Sequence, residues 1–368
     1  MIERARIVSL ASRVKDTNNS VLVTLVRVEG SSYRKPGARL LAVDGEYAGT
    51  ISGGCLETEV VKKAAWMVRS GATVERYSTA FEDTSDMPYG LGCGGTVDLL
   101  LEPSGTPEFA ALLKALEGSL HGESAMVITL LPDGNAPMQR VVLLEGEVVF
   151  RSYGLPESTI DAALAGELEN VFVETLNAPQ RLTVFGAGDD VKPLVRMAAL
   201  IGWSITVVDG RKQLARAERF PEAQRVLAAE AGLISEVDIK ADDAVVLMTH
   251  SYEQDRDWLA AVLPIAPRYF GILGARHRSS LLVSEASVMT GLSISECCAR
   301  IYAPVGLDLG GDGPEAIALA VVAEAQACCM GKLASFRRLS SADITIQMSR
   351  GDASQYTQAQ CALELSAD

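Results

Sequence analysis

Two glycine-flanked thiols are the groups in this chain best placed to do chemistry: Cys55 in TISGGCLE, residues 50–57, and Cys93 in YGLGCGG. Gly53 and Gly54 let the backbone take positive φ and come close to a ligand, and a helix opening after them would aim free N–H groups at the same spot. That field also lowers a thiol pKa and favours thiolate. Ser52, Gly53, Gly54, Cys55 and Glu57 are therefore candidate binding residues, with Cys93 and Gly94 as a second group. A structural turn around a buried thiol remains the alternative for each cysteine.

Cations stand close to these turns in sequence. The polar loop 30–37 carries Ser32, Arg34 and Lys35, with Arg39 just beyond it. Taken singly they read as solvated side chains, but beside a glycine turn with free N–H groups they read as an anion site. A second cluster, Arg276, His277 and Arg278, follows Gly274 at an expected helix start, where cations are unfavourable unless they meet an anion. His250 follows a strand, as a general base or as a hydrogen-bonding structural residue.

A third glycine turn, Gly186-Ala187-Gly188, lies between an apolar strand and a helical run, and Asp209 stands after the next strand. Strand, GxG, helix, strand and acid is the order of a dinucleotide-binding unit. Val191 replaces the third glycine, and Asp189 and Asp190 put negative charge where a pyrophosphate would sit, although both can instead cap the helix. Asp209 fits a ribose hydroxyl or a solvated strand end.

Around these groups the N-terminal part reads as a strand (21–28), a hairpin turning at Asp44-Gly45, a helix starting at or just before Cys55, and strands at 73–77 and 97–101. Signals from 106 to 174 are weaker and show no chemistry. From 181 strands and helices alternate, with strands at 181–185, 204–208, 244–248, 269–273 and 300–303. The expected fold is α/β: an N-terminal mixed α+β domain (1–178), a C-terminal Rossmann-like parallel-sheet domain (179–332) and a peripheral tail (333–368). Ligands of such sheets bind beyond the carboxyl ends of the strands.

The chain has 368 residues, too many for one ordinary core at roughly 150 residues per domain. Its net charge of -14 disfavours nucleic acid or an anionic membrane as a partner. The N-terminus lacks the apolar core of a secretion signal, and the run 316–330 reads as a buried helix too short to span a bilayer. Seven cysteines without a CxxC pair read as reduced thiols of a cytoplasmic protein, Cys297, Cys298, Cys328 and Cys329 as small buried side chains.

The blocks GSSYRKPGARL, SGGCLE, YGLGCGG, VFGAG, VVLMTHSYEQD, YFGILGARHR and APVGLDLGGDGPEAIALAVVAE, in that order, resemble those of the XdhC/CoxI accessory proteins. These are maturation factors for xanthine dehydrogenase, carbon monoxide dehydrogenase and related molybdenum hydroxylases. The resemblance implies a chaperone that binds molybdenum cofactor, as the mono- or dinucleotide form, protects it while a cysteine desulfurase supplies a sulfido ligand, and inserts it into the apo-enzyme. Many members carry histidine where this chain has Asp189. The residues suit such a cargo: Arg34, Arg39, Arg276 or Arg278 for its phosphate, and a thiolate, Cys55, for a soft, sulfur-rich metal centre. Ser32, Gly186, Gly188, His250 and Gly274 complete the candidate cofactor contacts. An NAD(P)-dependent oxidoreductase built on the GAG turn is the rival reading, and a homodimer is compatible with the sequence, which leaves oligomeric state open.

Overall fold

The computed structural model describes residues 1–13, 20–78, 95–134 and 136–333, and for Cys55 the backbone alone. Cys93, Gly94 and the tail from 334 lie outside the described residues. Two compact units result. The first comprises Arg6–Ala115 with Ala125–Thr175, and the second comprises Met1–Ala5, Leu116–Ser124 and Leu176–Leu333.

After helix α1 (Ile2–Arg13), the first unit is built on β1 (Ser20–Glu29), the middle of an antiparallel sheet. Its neighbours are β2 (Arg39–Val43), β3 (Glu46–Gly49), β4 (Thr73–Ser78) and β5 (Thr96–Pro103), in the order β3-β2-β1-β5-β4. Residues 20–26 of β1 are buried on both faces, which explains why SVLVTLV lacks polar alternation. Asp44 (φ 47°) and Gly45 (φ 88°) both take positive φ, the geometry that lets a two-residue turn match the strand twist. Helix α2 (Cys55–Met67) lays Leu56, Val60 and Ala64 against Val23, Leu40 and Leu99.

Helix α3 (Pro107–Leu120) leads to a second sheet of β6 (Ala125–Leu130), β7 (Gln139–Leu144), β8 (Glu147–Arg151) and β9 (Val171–Leu176), ordered β8-β7-β6-β9, with α4 (Ser158–Leu164) before β9. Strand β9 was not expected from the sequence. The two sheets share a buried ion pair: Arg140 Nη1 of β7 lies 2.7 Å from Glu102 Oε2 of β5. Isolated, either charge would be costly there; Thr129 Oγ1, 3.1 Å from Arg140 Nε, completes the set.

The second unit is a parallel sheet of β10 (Arg181–Phe185), β11 (Ser204–Val208), β12 (Arg225–Leu227), β13 (Ala244–Leu247) and β14 (Tyr269–Ile272), ordered β12-β11-β10-β13-β14. α5 (Val191–Leu200) and α10 (Pro314–Cys329) cover one face; α6 (Ile234–Val237), α7 (Tyr252–Val262) and α8 (Arg276–Thr290) cover the other, followed by α9 (Ile294–Ala299). The strand order reverses between β10 and β13, the position where such sheets open a crevice.

Two expectations are corrected. Residues 300–303 form no strand but a single bridge, in which Tyr302 N–H donates to Phe270 O (2.8 Å) and Tyr302 O accepts from Ile272 N–H (2.9 Å). The next donor would be Pro304, which has no N–H, and Val305 supplies it from one residue further on (3.0 Å to Ile272 O). Helix α10 is buried on one face only, although it is apolar nearly all round: Ala318, Val321, Val322 and Ala325 face the core while Leu319 is exposed.

Candidate functional site

Antiparallel alternation gathers the N-terminal motifs at one sheet end. The C-terminal ends of β1, β3 and β4 and the N-terminal ends of β2 and β5 all lie there, as the pairs Thr24↔Arg39, Leu40↔Gly49, Glu29↔Thr96 and Ser78↔Thr96 require. The basic loop (β1 to β2), the thiol turn (β3 to α2) and the chain bearing Cys93 (β4 to β5) each begin from this end. Gly95 fixes one neighbour: a Cβ there would collide with the Ser31 and Glu29 carbonyl oxygens, so only glycine lets the start of β5 lie against the basic loop.

The thiol turn is organised by Glu57. Its Oε1 accepts from Thr50 Oγ1 (2.7 Å), Ile51 N–H (3.0 Å) and Ser52 N–H (2.7 Å), and its Oε2 accepts from Gly54 N–H (2.9 Å) and the Ser52 hydroxyl. Burial raises the Glu57 pKa, but the Ser52 and Thr50 hydroxyl bonds and the Ser52 N–H outweigh it and hold the carboxyl below its ordinary value. Gly54 takes φ 121°, and among the described residues Cβ atoms at Gly53 or Gly54 would meet nothing within 4 Å. Cys55 is the first residue of α2, among the N–H groups that have no partner inside the helix.

The basic loop is less uniform than its sequence. Arg39 is buried, pairs with Glu174 of β9 and donates through Nη1 to Gly37 O (3.0 Å), so it is held inside the unit. Ser32 and Arg34 are half-buried and Lys35 is exposed in the loop itself.

In the second unit the GAG turn, His250 and the Gly274–Arg278 segment share the carboxyl rim of the sheet. Gly186 (φ 122°) packs so closely that a Cβ would strike the Met248 carbonyl. Asp209 is neither solvated nor open to a ribose: wholly buried, it accepts from Ala187 N–H (2.8 Å), Arg211 N–H (2.8 Å), Arg211 Nε (2.9 Å) and Arg211 Nη2 (2.8 Å). Burial raises its pKa, yet these bonds, chiefly from the Arg211 guanidinium, bring it below the ordinary value. Asp189 and Asp190 do not cap α5, because neither side chain bonds its first-turn N–H groups. Asp190 instead meets His250 Nε2 at 2.7 Å, and His250 holds a left-handed backbone (φ 63°) with its ring exposed.

A buried carboxylate also stands under the next loops. Asp255 Oδ1 accepts from Thr249 Oγ1 (2.6 Å) and Thr249 N–H (3.2 Å), and its Oδ2 lies 2.8 Å from Arg278 Nη2, an ion pair without hydrogen-bond alignment. Arg278 thus finds its anion inside the fold, whereas Arg276 and His277 are exposed on the first turn of α8. Glu324 of α10 takes Tyr269 OH (2.6 Å) and Gly306 N–H (2.9 Å), fixing the loop before α10. Of the expected buried cysteines, Cys297 and Cys329 are buried, but Cys298 is exposed and Cys328 half-buried beside Tyr302 OH (3.2 Å).

Comparison with known proteins gives two family matches: the XdhC and CoxI family over residues 14–78 and the XdhC Rossmann domain over residues 182–325. A Bacillus subtilis (strain 168) protein, named as a probable subunit of xanthine dehydrogenase, is 30% identical over 334 residues, 86% of this chain and 94% of its own length. The chain belongs to the XdhC and CoxI family. A second relative, the molybdenum cofactor insertion chaperone PaoD of Escherichia coli (strain K12), is 28% identical over 83% of this chain and 82% of its own length. A crystal structure described as a xanthine dehydrogenase from Bacillus halodurans superposes with a TM-score of 0.75 at 28% identity, covering 92% of this chain and 98% of that one.

The XdhC and CoxI match contains the basic loop and the thiol turn; the Rossmann match contains the GAG turn, His250 and the Arg276 segment; Cys93 lies in neither. Sequence reasoning missed Glu174, Asp255 and Glu324, and treated Asp209 without Arg211. For Asp255 a usable signal existed: an acid four residues after Ser251, at the start of a helix, is well placed to bond back into its own loop. Glu174 carried no such signal, because its partner is 135 residues away.

Proposed function

We propose that the chain binds molybdenum cofactor, protects it while a cysteine desulfurase sulfurates it, and delivers it in the cytoplasm to a xanthine dehydrogenase-type apo-enzyme. The observation that carries this reading is the Glu57-braced turn, which holds the helix start bearing Cys55 at the sheet end where the other motif loops begin, with room over Gly53 and Gly54 among the described residues. The names of the relatives support the same reading.

The residues fit such a cargo. When bound, the cofactor supplies a phosphate, a dithiolene and a soft metal centre. Glycines without Cβ atoms and the first-turn N–H groups of α2 would lie against the anionic end, with Ser32 and Arg34 in the neighbouring loop. Cys55 would offer one thiolate to the metal. A single thiolate suits a metal already chelated by its pterin, and among the described residues no cluster of three or more His, Cys, Asp or Glu could hold a bare ion. Glu57 and Arg39 act as positioning residues, since both Glu57 oxygens and both Arg39 Nη groups are engaged within the unit.

The test is anaerobic co-expression with cofactor biosynthesis followed by molybdenum and pterin analysis of the purified protein. The reading expects both near stoichiometric amounts; protein free of pterin and metal under these conditions overturns it. The second reading, a nicotinamide-dependent oxidoreductase, is favoured by the strand order at the GAG turn and opposed by Asp209, whose oxygens are filled by Arg211 and Ala187. Titration with NAD and NADP separates them, because sub-millimolar binding with hydride transfer would select the enzyme.

A further inference from the structure

Helix α8 presents a face that a solvated helix does not. Residues 279–295, most of α8 and the turn into α9, carry one charged side chain, Glu285, in a chain that is 22% charged. Leu282, Val283 and Ala286 bury the inner face of the helix. On the opposite face, at helical spacing, stand His277, Leu281, Ser284 and Val288, all exposed, Val288 to 84%. Met289 and Ile294, on either side of the Gly291 turn, are exposed as well. Glu285 is turned aside to α7, where its Oε1 accepts from Tyr252 OH (2.8 Å) and its Oε2 lies 3.7 Å from Arg256 Nη1. Single exposed apolar residues are ordinary, but Leu281, Val288, Met289 and Ile294 within one charge-poor stretch mark an interaction surface.

Hydroxyls of the stretch are satisfied within it. Ser280 Oγ donates to Arg276 O (2.8 Å), Ser287 Oγ to Leu292 O (2.6 Å) and Thr290 Oγ1 to Ala286 O (2.7 Å), so a partner can cover them without leaving these donors unmatched. The two ends of α8 are charged against the helix field. Arg276 and His277 stand on the first turn, where cations are unfavourable, and the last turn has no basic residue to meet its carbonyl groups. Arg278 has Asp255, but among the described residues the side chains of Arg276 and His277 pair with no acid.

We propose that the chain forms a homodimer in which α8 packs antiparallel on the α8 of a second copy, about a two-fold axis near Ser284. With the axis there, Leu281 of each copy comes over Val288 of the other, and the small Ser284 side chain lets the helices approach. The same arrangement sets Arg276 and His277 of each copy beside the carbonyl end of the other's α8, with the exposed Glu296 of α9 a few residues on. Each helix end thus meets the charge it lacks. A face that complements itself in both apolar pattern and charge fits a second copy, and a two-fold pair is the commonest closed assembly. At a net charge of -14 two copies repel at long range, which favours contact where acids are sparse. The dimer is independent of the thiol turn: self-association reports on α8, and molybdenum and pterin content report on the cargo.

The experiment is sedimentation velocity of the full chain from about 1 to about 100 μM, the range in which a contact centred on one helix pair associates. The wild type is expected to pass from monomer to dimer over that range. Val288→Lys puts an ammonium group into the apolar contact and is expected to raise the dissociation constant about tenfold or more, and Leu281→Lys to do the same. Both side chains lie at the surface, so the variants should keep the wild-type melting temperature. Ser284→Cys reports on the geometry: close to the axis, its thiols are expected to join two copies under mild oxidation at a yield well above that of the wild type. A wild type that stays monomeric throughout, a Val288→Lys variant that dimerises as the wild type does, or a Ser284→Cys variant that cross-links no better than the wild type overturns the proposal. A monomeric wild type whose capture of a molybdenum hydroxylase apo-enzyme is lost in Val288→Lys overturns it too and assigns the face to that partner.

Discussion

Glu57→Gln removes one oxygen from a carboxylate whose every lone-pair direction is used. In the variant, one amide oxygen can keep the Ile51 and Ser52 N–H bonds at 3.0 Å and 2.7 Å. The new NH2 group then faces the Gly54 N–H, a donor against a donor at a separation that is now 2.9 Å. Losing one charge-assisted bond costs about 1.5–3 kcal/mol, and the retained bonds weaken as the acceptor becomes neutral, so the turn should lose about 2–4 kcal/mol. Native-state hydrogen exchange reads this directly. The amides of Ile51, Ser52 and Gly54 should exchange roughly 30-fold to 1000-fold faster while the core amides of β1 hold their rates. The pH dependence has a fixed sign. Because the folded-state pKa of Glu57 is depressed, its stabilisation is full above the ordinary glutamate value of 4.5 and is lost as the pH falls through the lower folded value. Unchanged exchange at these three amides in Glu57→Gln, or a loss spread evenly over the whole unit, would refute the bracing role.

Gly95→Ala should lower the urea midpoint by an amount equivalent to about 1–3 kcal/mol, since its Cβ would meet the Ser31 and Glu29 backbones, which have no side-chain freedom to yield. A variant as stable as the wild type would remove the close approach of β5 to the basic loop. Asp255→Asn leaves Arg278 without its charge partner and should cost about 3–5 kcal/mol in denaturant unfolding of the second unit, a loss under about 1 kcal/mol contradicting the pairing.

Much of the fold was readable because it rests on local signals. The strand and helix alternation from residue 181 onward, the Asp44-Gly45 turn and the helix opening at Cys55 each follow from apolar period or turn chemistry within a few residues. The failures involve partners distant in sequence. Glu174 was invisible because its strand signal is mixed and its meaning lies in Arg39, and 300–303 looked like a strand because its apolar residues do pack on β14, with Pro304 ending the ladder. At the candidate sites residue types were legible but their roles were not. Arg39, Arg278 and Asp209 carry the charges expected of ligand contacts, and the fold engages each internally. Which charge is spent on the scaffold is set by burial and geometry, quantities that spacing in a sequence does not encode.

If the thiol turn holds the molybdenum end of a cofactor, Cys55→Ala changes the molybdenum-to-protein and pterin-to-protein ratios of protein purified anaerobically after co-expression with cofactor biosynthesis. The wild type should load near-stoichiometrically, and the variant should lose both ratios several-fold at unchanged thermal stability. Equal loading of the two proteins would contradict that role and remove Cys55 from the site.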